Sequence, residues 1–183
     1  MFFIITQTIV LLIILFLLYL LTWFLPTDSP WSFWWTTNTE VSREIGKLAK
    51  VTKKDVFYEL GSGTGTTVCV IAKEFGAKCV GIESDWSRVQ WSKLKIFVQK
   101  QFSNLAIEQL NDIKILKKSF YDVSLSPATV VYLYLVPRVI KNLKPKLLKE
   151  LKPGTKVISY VYEIEYLKLV KKDEERQLYL YTR

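Results

Sequence analysis

The chain has 183 residues, half of which are hydrophobic, and a net charge of +9 at neutral pH. This length allows one globular domain with a real core and little more than one further segment. There is no histidine, which excludes Ser–His and Cys–His catalysis and argues against a zinc site or any other metal centre. The two cysteines, Cys69 and Cys79, lack disulfide or metal-ligand spacing, so we expect a reducing compartment.

The first predicted element is a transmembrane helix over residues 2–25, which would contact membrane lipid. This stretch carries no charge, and as a helix it would span roughly 36 Å, enough for the ~30 Å hydrocarbon core of a bilayer. A cleaved signal peptide is the alternative. It is disfavoured because there is no basic amino-terminal region, the apolar run is too long, and no small-residue cleavage site follows Leu25.

Residues 26–36 form an aromatic linker that includes Trp31, Trp34 and Trp35. These rings could form an interfacial belt at headgroup depth, or a hydrophobic lip that guides a membrane-embedded substrate. All basic residues lie from Arg43 onward, so the positive-inside rule favours a single-pass membrane protein with its domain in the cytoplasm. The basic domain indicates either an acidic partner or a lysine-rich solvated surface.

The globular domain is predicted over residues 37–183. Thr37 and Glu40 have the capping-box spacing, which predicts a helix over 38–50. Apolar runs and turn signals then predict strands, helices and a terminal antiparallel hairpin, and Pro145 is expected to divide the last helical region into a turn and a helix. The predicted strands are 55–60, 78–83, 113–117, 129–135 and 157–162; the helices are 65–75, 85–102 and 137–151; the hairpin turn is 171–176.

A glycine-rich turn between the first strand and its helix predicts a nucleotide-binding loop. Gly61, Gly63 and Gly65 let the backbone turn sharply and approach a ligand closely. The helix that follows offers free N–H groups and a positive dipole end. Glu83, at the end of the second strand, stands where an acid can accept both hydroxyls of a ribose.

Other nucleotide motifs do not match this loop. A dinucleotide fingerprint needs a glycine at the position of Thr66, and a Walker loop needs Gly-Lys-Ser/Thr. The run Glu59-Leu-Gly-Ser-Gly-Thr-Gly65 instead resembles motif I of the class I S-adenosylmethionine-dependent methyltransferases. This resemblance covers about residues 37–183 and implies an α/β fold, with a seven-stranded Rossmann-like sheet that has helices on both faces.

The same resemblance implies the cofactor contacts. Glu59 and the loop of Gly61, Ser62, Gly63, Thr64 and Gly65 would hold the methionine portion of S-adenosylmethionine, and S-adenosylhomocysteine would be the product. Glu83 would hold the ribose, and Ser84 would also bind the cofactor. Ser119 and Phe120 would flank the adenine, although many relatives carry an acid in place of Ser119.

A closer likeness is to the membrane-associated protein-lysine methyltransferases of the ATP synthase c-subunit lysine methyltransferase family. It rests on the amino-terminal span, Gly81-Ile-Glu83, the stretch 130–137, and the stretch 147–159. A more distant likeness is to the non-SET histone-lysine methyltransferases. The likeness implies a membrane-embedded protein substrate and a catalytic-site role for Thr37, whose flanking residues differ from the family pattern.

Tyr134, after the fourth strand, is the candidate for the side of the active site that faces the methyl acceptor, which we call the wall. It could equally be an ordinary core tyrosine. Tyr134 to Pro137 differ from the Asn/Asp-Pro-Pro-aromatic motif of DNA amino-methyltransferases, which argues against nucleic acid as substrate. Two alternatives stay open: a non-catalytic membrane-tethered binding module on the same fold, and a nicotinamide-dependent reductase. The sequence predicts no oligomeric state.

Overall fold

A computed structural model describes residues 2–24, 36–102, 110 and 112–183. The chain divides into two compact units, Met1–Trp34 and Trp35–Arg183. The predicted linker, residues 26–36, lies outside the described residues except for Thr36.

The first unit contains helix α1, Phe2–Phe24. Its stretch Phe3–Leu20 is long and apolar enough to cross a membrane, and none of it is buried within the protein. The hydroxyl groups of Thr6 and Thr8 donate to the carbonyl oxygens of Phe3 and Ile4, at 2.8 and 2.9 Å. These two polar side chains are therefore satisfied within the helix itself, as a lipid environment demands.

The second unit is built on a seven-stranded sheet in the order β3-β2-β1-β4-β5-β7-β6. Strands β1 to β5 run parallel to one another, while β7 is antiparallel to both of its neighbours, β5 and β6. The strands are β1 Val56–Leu60, β2 Lys78–Glu83, β3 Ile113–Lys117, β4 Val130–Leu133, β5 Lys156–Tyr160, β6 Lys168–Asp173 and β7 Leu178–Thr182. The helices of this unit whose bounds lie within the described residues are α2 Thr39–Leu48, α3 Thr66–Phe75, α4 Trp86–Phe102 and α5 Pro137–Glu150. The predicted seven-stranded α/β sheet is confirmed.

Each face of the sheet carries its own hydrophobic core. On one face, Ile45 of α2 and Ile71 of α3 pack with strand residues; on the other, Leu143 of α5 does so. Val130 and Val131, adjacent on β4, belong to opposite cores because successive strand side chains point to opposite faces. The central strands are therefore apolar on both sides, as parallel strands covered by helices require.

Helix α2 begins differently from the prediction. Its N-cap is Asn38, whose Oδ1 accepts a hydrogen bond from the backbone N–H of Val41 at 2.8 Å. Thr37 therefore does not cap the helix, and the capping-box interpretation was wrong. Asparagine is at least as good a cap as threonine, and the Thr37 hydroxyl has another partner within the core.

Pro145 does not divide α5, which runs unbroken from Pro137 to Glu150. Proline removes one helical hydrogen bond and costs about 3 kcal/mol inside a helix. Here Pro145 and Lys141, whose carbonyl loses its donor, are both exposed, so water can satisfy that carbonyl. Leu143 and Leu147, on the opposite face, are fully buried, and their burial offsets the loss.

Three other predicted bounds shift at the carboxyl ends of strands. Strand β4 stops at Leu133, opposite Leu60 of β1, because β1 ends there and offers no further partner. Strand β5 stops at Tyr160, since Val161 has a positive φ of 70°. Strand β6 extends to Asp173, so the hairpin turn is shorter than the predicted 171–176.

Candidate active site

The candidate site lies where the order of the strands reverses. From β1 the sheet runs to β2 and β3 on one side, and to β4 and β5 on the other. Loops that leave the carboxyl ends of β1 and β4 diverge to opposite faces, and the crevice between them is the usual ligand site of open α/β sheets. The glycine-rich loop follows β1 directly, and Tyr134 follows β4.

The glycine loop has the backbone that the sequence predicts. Gly61, Gly63 and Gly65 have φ angles of +82°, +50° and +71°, a region that side chains disfavour. The N–H groups of Gly61 and Ser62 both donate to the Ile82 carbonyl at 2.9 Å, which fastens the loop to β2. Gly65 then caps α3, whose first turn presents its N–H groups beside the loop.

Glu59 is a buried carboxyl group at the base of this loop. Its Oε2 has no hydrogen-bond partner among the residues that the structure describes. Burial raises the pKa of Glu59 to about 8, and the Thr67 hydroxyl and the Val68 backbone amide only partly oppose that rise. A buried acid of this kind is adapted to meet a cationic group that is not part of the protein chain.

Glu83 connects the end of β2 to the glycine loop. Its Oε2 accepts from the Gly63 backbone N–H and its Oε1 from the Asp85 backbone N–H, both at 2.9 Å. A carboxylate oxygen has two lone pairs, so each still has one available for a ribose hydroxyl. The predicted ribose role thus remains compatible with this arrangement.

The remaining predicted cofactor residues surround this crevice. Ser84 is exposed directly after Glu83, and Thr64 is half-buried within the loop. Ser119 and Phe120 are half-buried in the turn after β3, which is joined to β2 by the bond from Lys118 N–H to the Glu83 carbonyl, 3.1 Å. Their contacts with a ligand stay predictions.

Two residues of α4 support the loop, and the sequence did not single them out. The Ser92 hydroxyl is fully buried and lies 2.8 Å from the Gly63 carbonyl and 2.9 Å from the Arg88 carbonyl. Lys95 donates to the Thr66 hydroxyl at 2.9 Å. The sequence does contain a signal for Ser92. It lies on the same helical stripe as Val89 and Ile96, and a polar side chain on a buried stripe needs a hydrogen-bond partner.

Ser62 and Ser92 provide a matched pair of buried serines. The Ser62 hydroxyl has no partner within the described parts of the chain and lies against Gly81, where a Cβ atom would come within 2.7 Å of it. We expect Ser62→Ala to raise the free energy of unfolding by about 1 kcal/mol, and Ser92→Ala to lower it by a similar amount. Chemical denaturation checks both; a loss of stability in Ser62→Ala would contradict the assignment of an unpaired hydroxyl.

Thr37 contacts a tyrosine that the sequence did not predict. The Thr37 and Tyr132 hydroxyl groups lie 2.6 Å apart, and both residues are buried. Tyr132 belongs to β4 and stands beside Glu59 of β1 in the sheet. Its pKa is raised well above the usual value, chiefly by burial and further by Glu59. Thr37 thus reaches the interior of the domain close to Glu59, and its predicted catalytic role remains a prediction.

Tyr134 pairs with a second tyrosine at the ends of neighbouring strands. Its ring lies 4.6 Å from that of Tyr160, the last residue of β5, at an interplanar angle of 56°. Burial raises the pKa of Tyr134, so its hydroxyl stays protonated at neutral pH. Val161, with its positive φ, and a hydrogen bond from Tyr162 N–H to the Tyr160 carbonyl form a tight turn after this pair.

These features fit S-adenosylmethionine as the ligand. Side chains are absent at the three glycines where a ligand would approach the loop. The unpaired oxygen of Glu59 can meet the ammonium group of the methionine portion, and the free lone pairs of Glu83 can meet the ribose.

Comparisons with known proteins agree with this site. Residues 59–171 match the ANTKMT methyltransferase domain family. A protein-lysine N-methyltransferase of Saccharolobus islandicus is 35% identical over 80% of this chain and 90% of its own. The H3 lysine-79-specific histone-lysine N-methyltransferase of Drosophila melanogaster is 26% identical over 67% of this chain, but over only 7% of its own length.

Solved structures show the same fold. An RNA methyltransferase from Salinibacter ruber, crystallised with S-adenosyl-L-homocysteine, is 31% identical and has a TM-score of 0.69. The similarity covers 81% of this chain and 93% of that one. An O-methyltransferase from Thermotoga maritima, 14% identical with a TM-score of 0.60, shares the fold over 81% of this chain. The chain belongs to the ANTKMT methyltransferase domain family and is a class I enzyme that uses S-adenosylmethionine.

Proposed function

We propose that this enzyme is anchored in a membrane and methylates a lysine side chain of a protein that is itself embedded in a membrane. The observation that carries the lysine acceptor is the 35% identity to a protein-lysine N-methyltransferase over nearly all of the domain. The tyrosine pair at the carboxyl ends of β4 and β5 supports the same acceptor class.

In this proposal the carboxyl groups and the loop position the cofactor. Glu59 binds its ammonium group, the backbone of Gly61 to Gly65 lies against the methionine portion, and Glu83 binds the ribose. Ser84, Ser119 and Phe120 lie at the adenine end. When bound, S-adenosylmethionine would supply a methyl group on a positively charged sulfur. An uncharged amine can attack that methyl carbon, and the sulfur then leaves as the neutral thioether of S-adenosylhomocysteine.

The tyrosine pair acts on the protonation state of the acceptor. A lysine with its free pKa of about 10.4 is almost wholly protonated at neutral pH, and its amine must lose that proton before it reacts. A site that excludes water lowers the pKa of an amine. Because the Tyr134 hydroxyl stays protonated, the wall supplies no anion that would hold the lysine in its charged form. Positioning and desolvation then supply most of the rate enhancement.

Helix α1 supplies the proposed anchor. Its length, its apolar surface and the internal hydrogen bonds of Thr6 and Thr8 suit a bilayer. The basic residues from Arg43 onward favour a cytoplasmic domain. We expect the protein to resist alkaline extraction from membranes with residues 1–25 still attached. Recovery of a chain that starts after residue 25 would indicate a cleaved signal peptide instead.

Transfer of a labelled methyl group identifies the acceptor class. The full-length enzyme is incubated with membranes and tritiated S-adenosylmethionine, and the products are treated with protease or with ribonuclease. We expect label that protease releases, and methyl-lysine after acid hydrolysis. Label that ribonuclease releases would favour an RNA acceptor, the class named for the Salinibacter ruber relative; either that result or methylation of another amino acid would contradict the proposal.

Changes in the tyrosine pair should affect the acceptor and leave cofactor affinity intact. Tyr134→Ala and Tyr160→Ala each open the wall to water, so we expect kcat/KM for the protein acceptor to fall at least ~10-fold, about 1.4 kcal/mol. The dissociation constant of S-adenosylhomocysteine should change less than about twofold. Tyr179→Phe, a tyrosine of β7 whose ring Lys172 covers, is the control and should leave both values unchanged. Equal losses in binding and turnover would place the pair in the cofactor site.

A further inference from the structure

The outer face of α4 is apolar although it faces solvent. The inner face of this helix, with Val89, Ser92 and Ile96, is buried. Its outer face carries large hydrophobic side chains, and Trp86 and Phe97 are 57% and 58% exposed. We define the α4 outer face as Trp86, Trp91, Leu94, Phe97 and Val98, all of them exposed. Large apolar side chains grouped on the exposed side of a helix mark an interaction surface.

The charged residues of α4 itself are all basic. Helix α4 contains four basic residues and no Asp or Glu. The neighbouring edge strand β3, on which α4 packs, adds exposed Lys117, and exposed Lys118 follows in the next turn. Among the residues described, the nearest acids in sequence are Asp85, which is buried and caps α4, and Asp112, which is exposed before β3. The four basic residues of α4 are Arg88, Lys93, Lys95 and Lys100.

This combination discriminates between possible partners. In a symmetric dimer each copy would present the same lysines to the other, and the like charges would oppose the contact. Tryptophan, phenylalanine and leucine flanked by lysine and arginine are, in contrast, the composition of helices that lie in the plane of a membrane surface. The aliphatic stems of Lys93 and Lys100 can cover apolar surface while their ammonium groups reach lipid headgroups.

We propose that the α4 outer face lies in the surface of an anionic bilayer, with its tryptophan, phenylalanine and leucine side chains at the level of the headgroups. This contact is additional to the anchor α1 and is independent of the identity of the methyl acceptor. Because α4 begins three residues after Glu83, its first turn adjoins the cofactor crevice. Lipid contact along α4 therefore holds the entrance to the site close to the bilayer surface.

Site-directed spin labels measure this contact in the full-length protein. Phe97→Cys and Leu94→Cys test the α4 outer face, and Asn142→Cys, on an exposed position of α5, is the matched control. The native Cys69 and Cys79 are buried and should not react. In vesicles of phosphatidylcholine and phosphatidylglycerol, labels at 94 and 97 should collide severalfold more with oxygen than with an aqueous nickel chelate, and the label at 142 should show the reverse.

Three results would overturn the proposal. Labels at 94 and 97 that match the control would place this face in water. Labels shielded from both reagents would indicate a protein partner or a second copy. The third result concerns charge. Reversing two charges in Lys93→Glu/Lys100→Glu, or removing the anionic lipid, should each lower the preference of the labels at 94 and 97 for oxygen severalfold. An unchanged preference in both would exclude an anionic bilayer. Unaltered binding of S-adenosylhomocysteine by the double variant verifies its fold.

Discussion

Replacing Glu59 by Gln is expected to weaken the binding of S-adenosylhomocysteine by about 10- to 100-fold at pH 8, because a charge-assisted hydrogen bond contributes about 1.5–3 kcal/mol. The Glu59 side chain is buried and its Oε2 has no protein partner among the described residues. Glutamine keeps the shape of the side chain but cannot supply a negative charge to an ammonium group. Isothermal titration calorimetry of the full-length protein in detergent measures the change.

The pH dependence of binding tests the same group more specifically. The pKa of Glu59 is raised to about 8, so the free enzyme holds its proton at pH 6. Binding of an ammonium group requires the carboxylate and therefore releases that proton. Affinity should rise about tenfold per pH unit from 6 towards 8. The slope should level off above pH 8, where the Glu59 carboxyl is already ionised before binding.

Glu59→Gln should remove the slope below pH 8, since an amide does not titrate in this range. Glu74→Gln, which loses an exposed carboxylate paired with Arg43 on the surface, is the matched control and should bind as the wild type does. If the wild type bound equally well at pH 6 and pH 8, Glu59 would not be the partner of the ammonium group.

As the pH rises towards 8, the free energy of unfolding should fall while the affinity for S-adenosylhomocysteine rises. The folded-state pKa of Glu59 lies above the unfolded-state value, so the folded protein holds the proton more tightly between about pH 4.5 and 8. Glu59 therefore lowers the free energy of unfolding progressively as the pH rises through that window. We expect Glu59→Gln to have a higher Tm than the wild type at pH 8, and the difference to shrink towards pH 4.5.

Replacing Gly65 by Val is expected to weaken cofactor binding by more than ~30-fold. Gly65 has a φ of +71°, and a Cβ atom there would lie 3.2 Å from the Ser92 hydroxyl. A left-handed conformation costs roughly 1–2 kcal/mol for an ordinary residue, and more for a β-branched one. The loop would therefore change shape, and it would displace the serine that bonds to the Gly63 carbonyl.

Gly154→Val is the matched control for backbone strain. Gly154 has a φ of +87°, a Cβ atom added there would meet no other atom within 4 Å, and the residue precedes the amino end of β5, opposite the site. Both variants should lose stability, but Gly154→Val should bind S-adenosylhomocysteine with unchanged affinity. If Gly65→Val is too unstable to purify, Gly65→Ala provides the same comparison. Full affinity in either Gly65 variant would mean that the loop does not approach the cofactor.

Local sequence signals predicted the positions of Glu59, the glycine loop and Glu83 well. The alternation of strand, glycine turn, helix and strand places Glu59, the glycine loop and Glu83 close together by chain connectivity alone. The bounds of β2 and β3 agree with the prediction, and Asp85 caps α4 by accepting from the Arg88 N–H. These features depend on neighbours in sequence, so one stretch of chain is enough to specify them.

The proposed acceptor side depends on contacts between distant residues, which a single sequence does not reveal. Tyr160 joins Tyr134 only because β4 and β5 are neighbours in register, Leu133 opposite Ser159. The bond between Thr37 and Tyr132 likewise links α2 to the centre of the sheet. The α4 outer face was missed because apolar residues occur around most of that helix, and periodicity does not tell which side the sheet will cover.

Mass spectrometry of membrane proteins from cells with and without this gene tests the central claim most directly. We predict that at least one lysine-containing peptide loses the mass of one or more methyl groups when the gene is absent. The wild-type gene should restore the modification, and neither Gly65→Val nor Glu59→Gln should restore it fully. An unchanged set of methylated lysines, together with the loss of a methylated nucleoside from RNA, would contradict the claim.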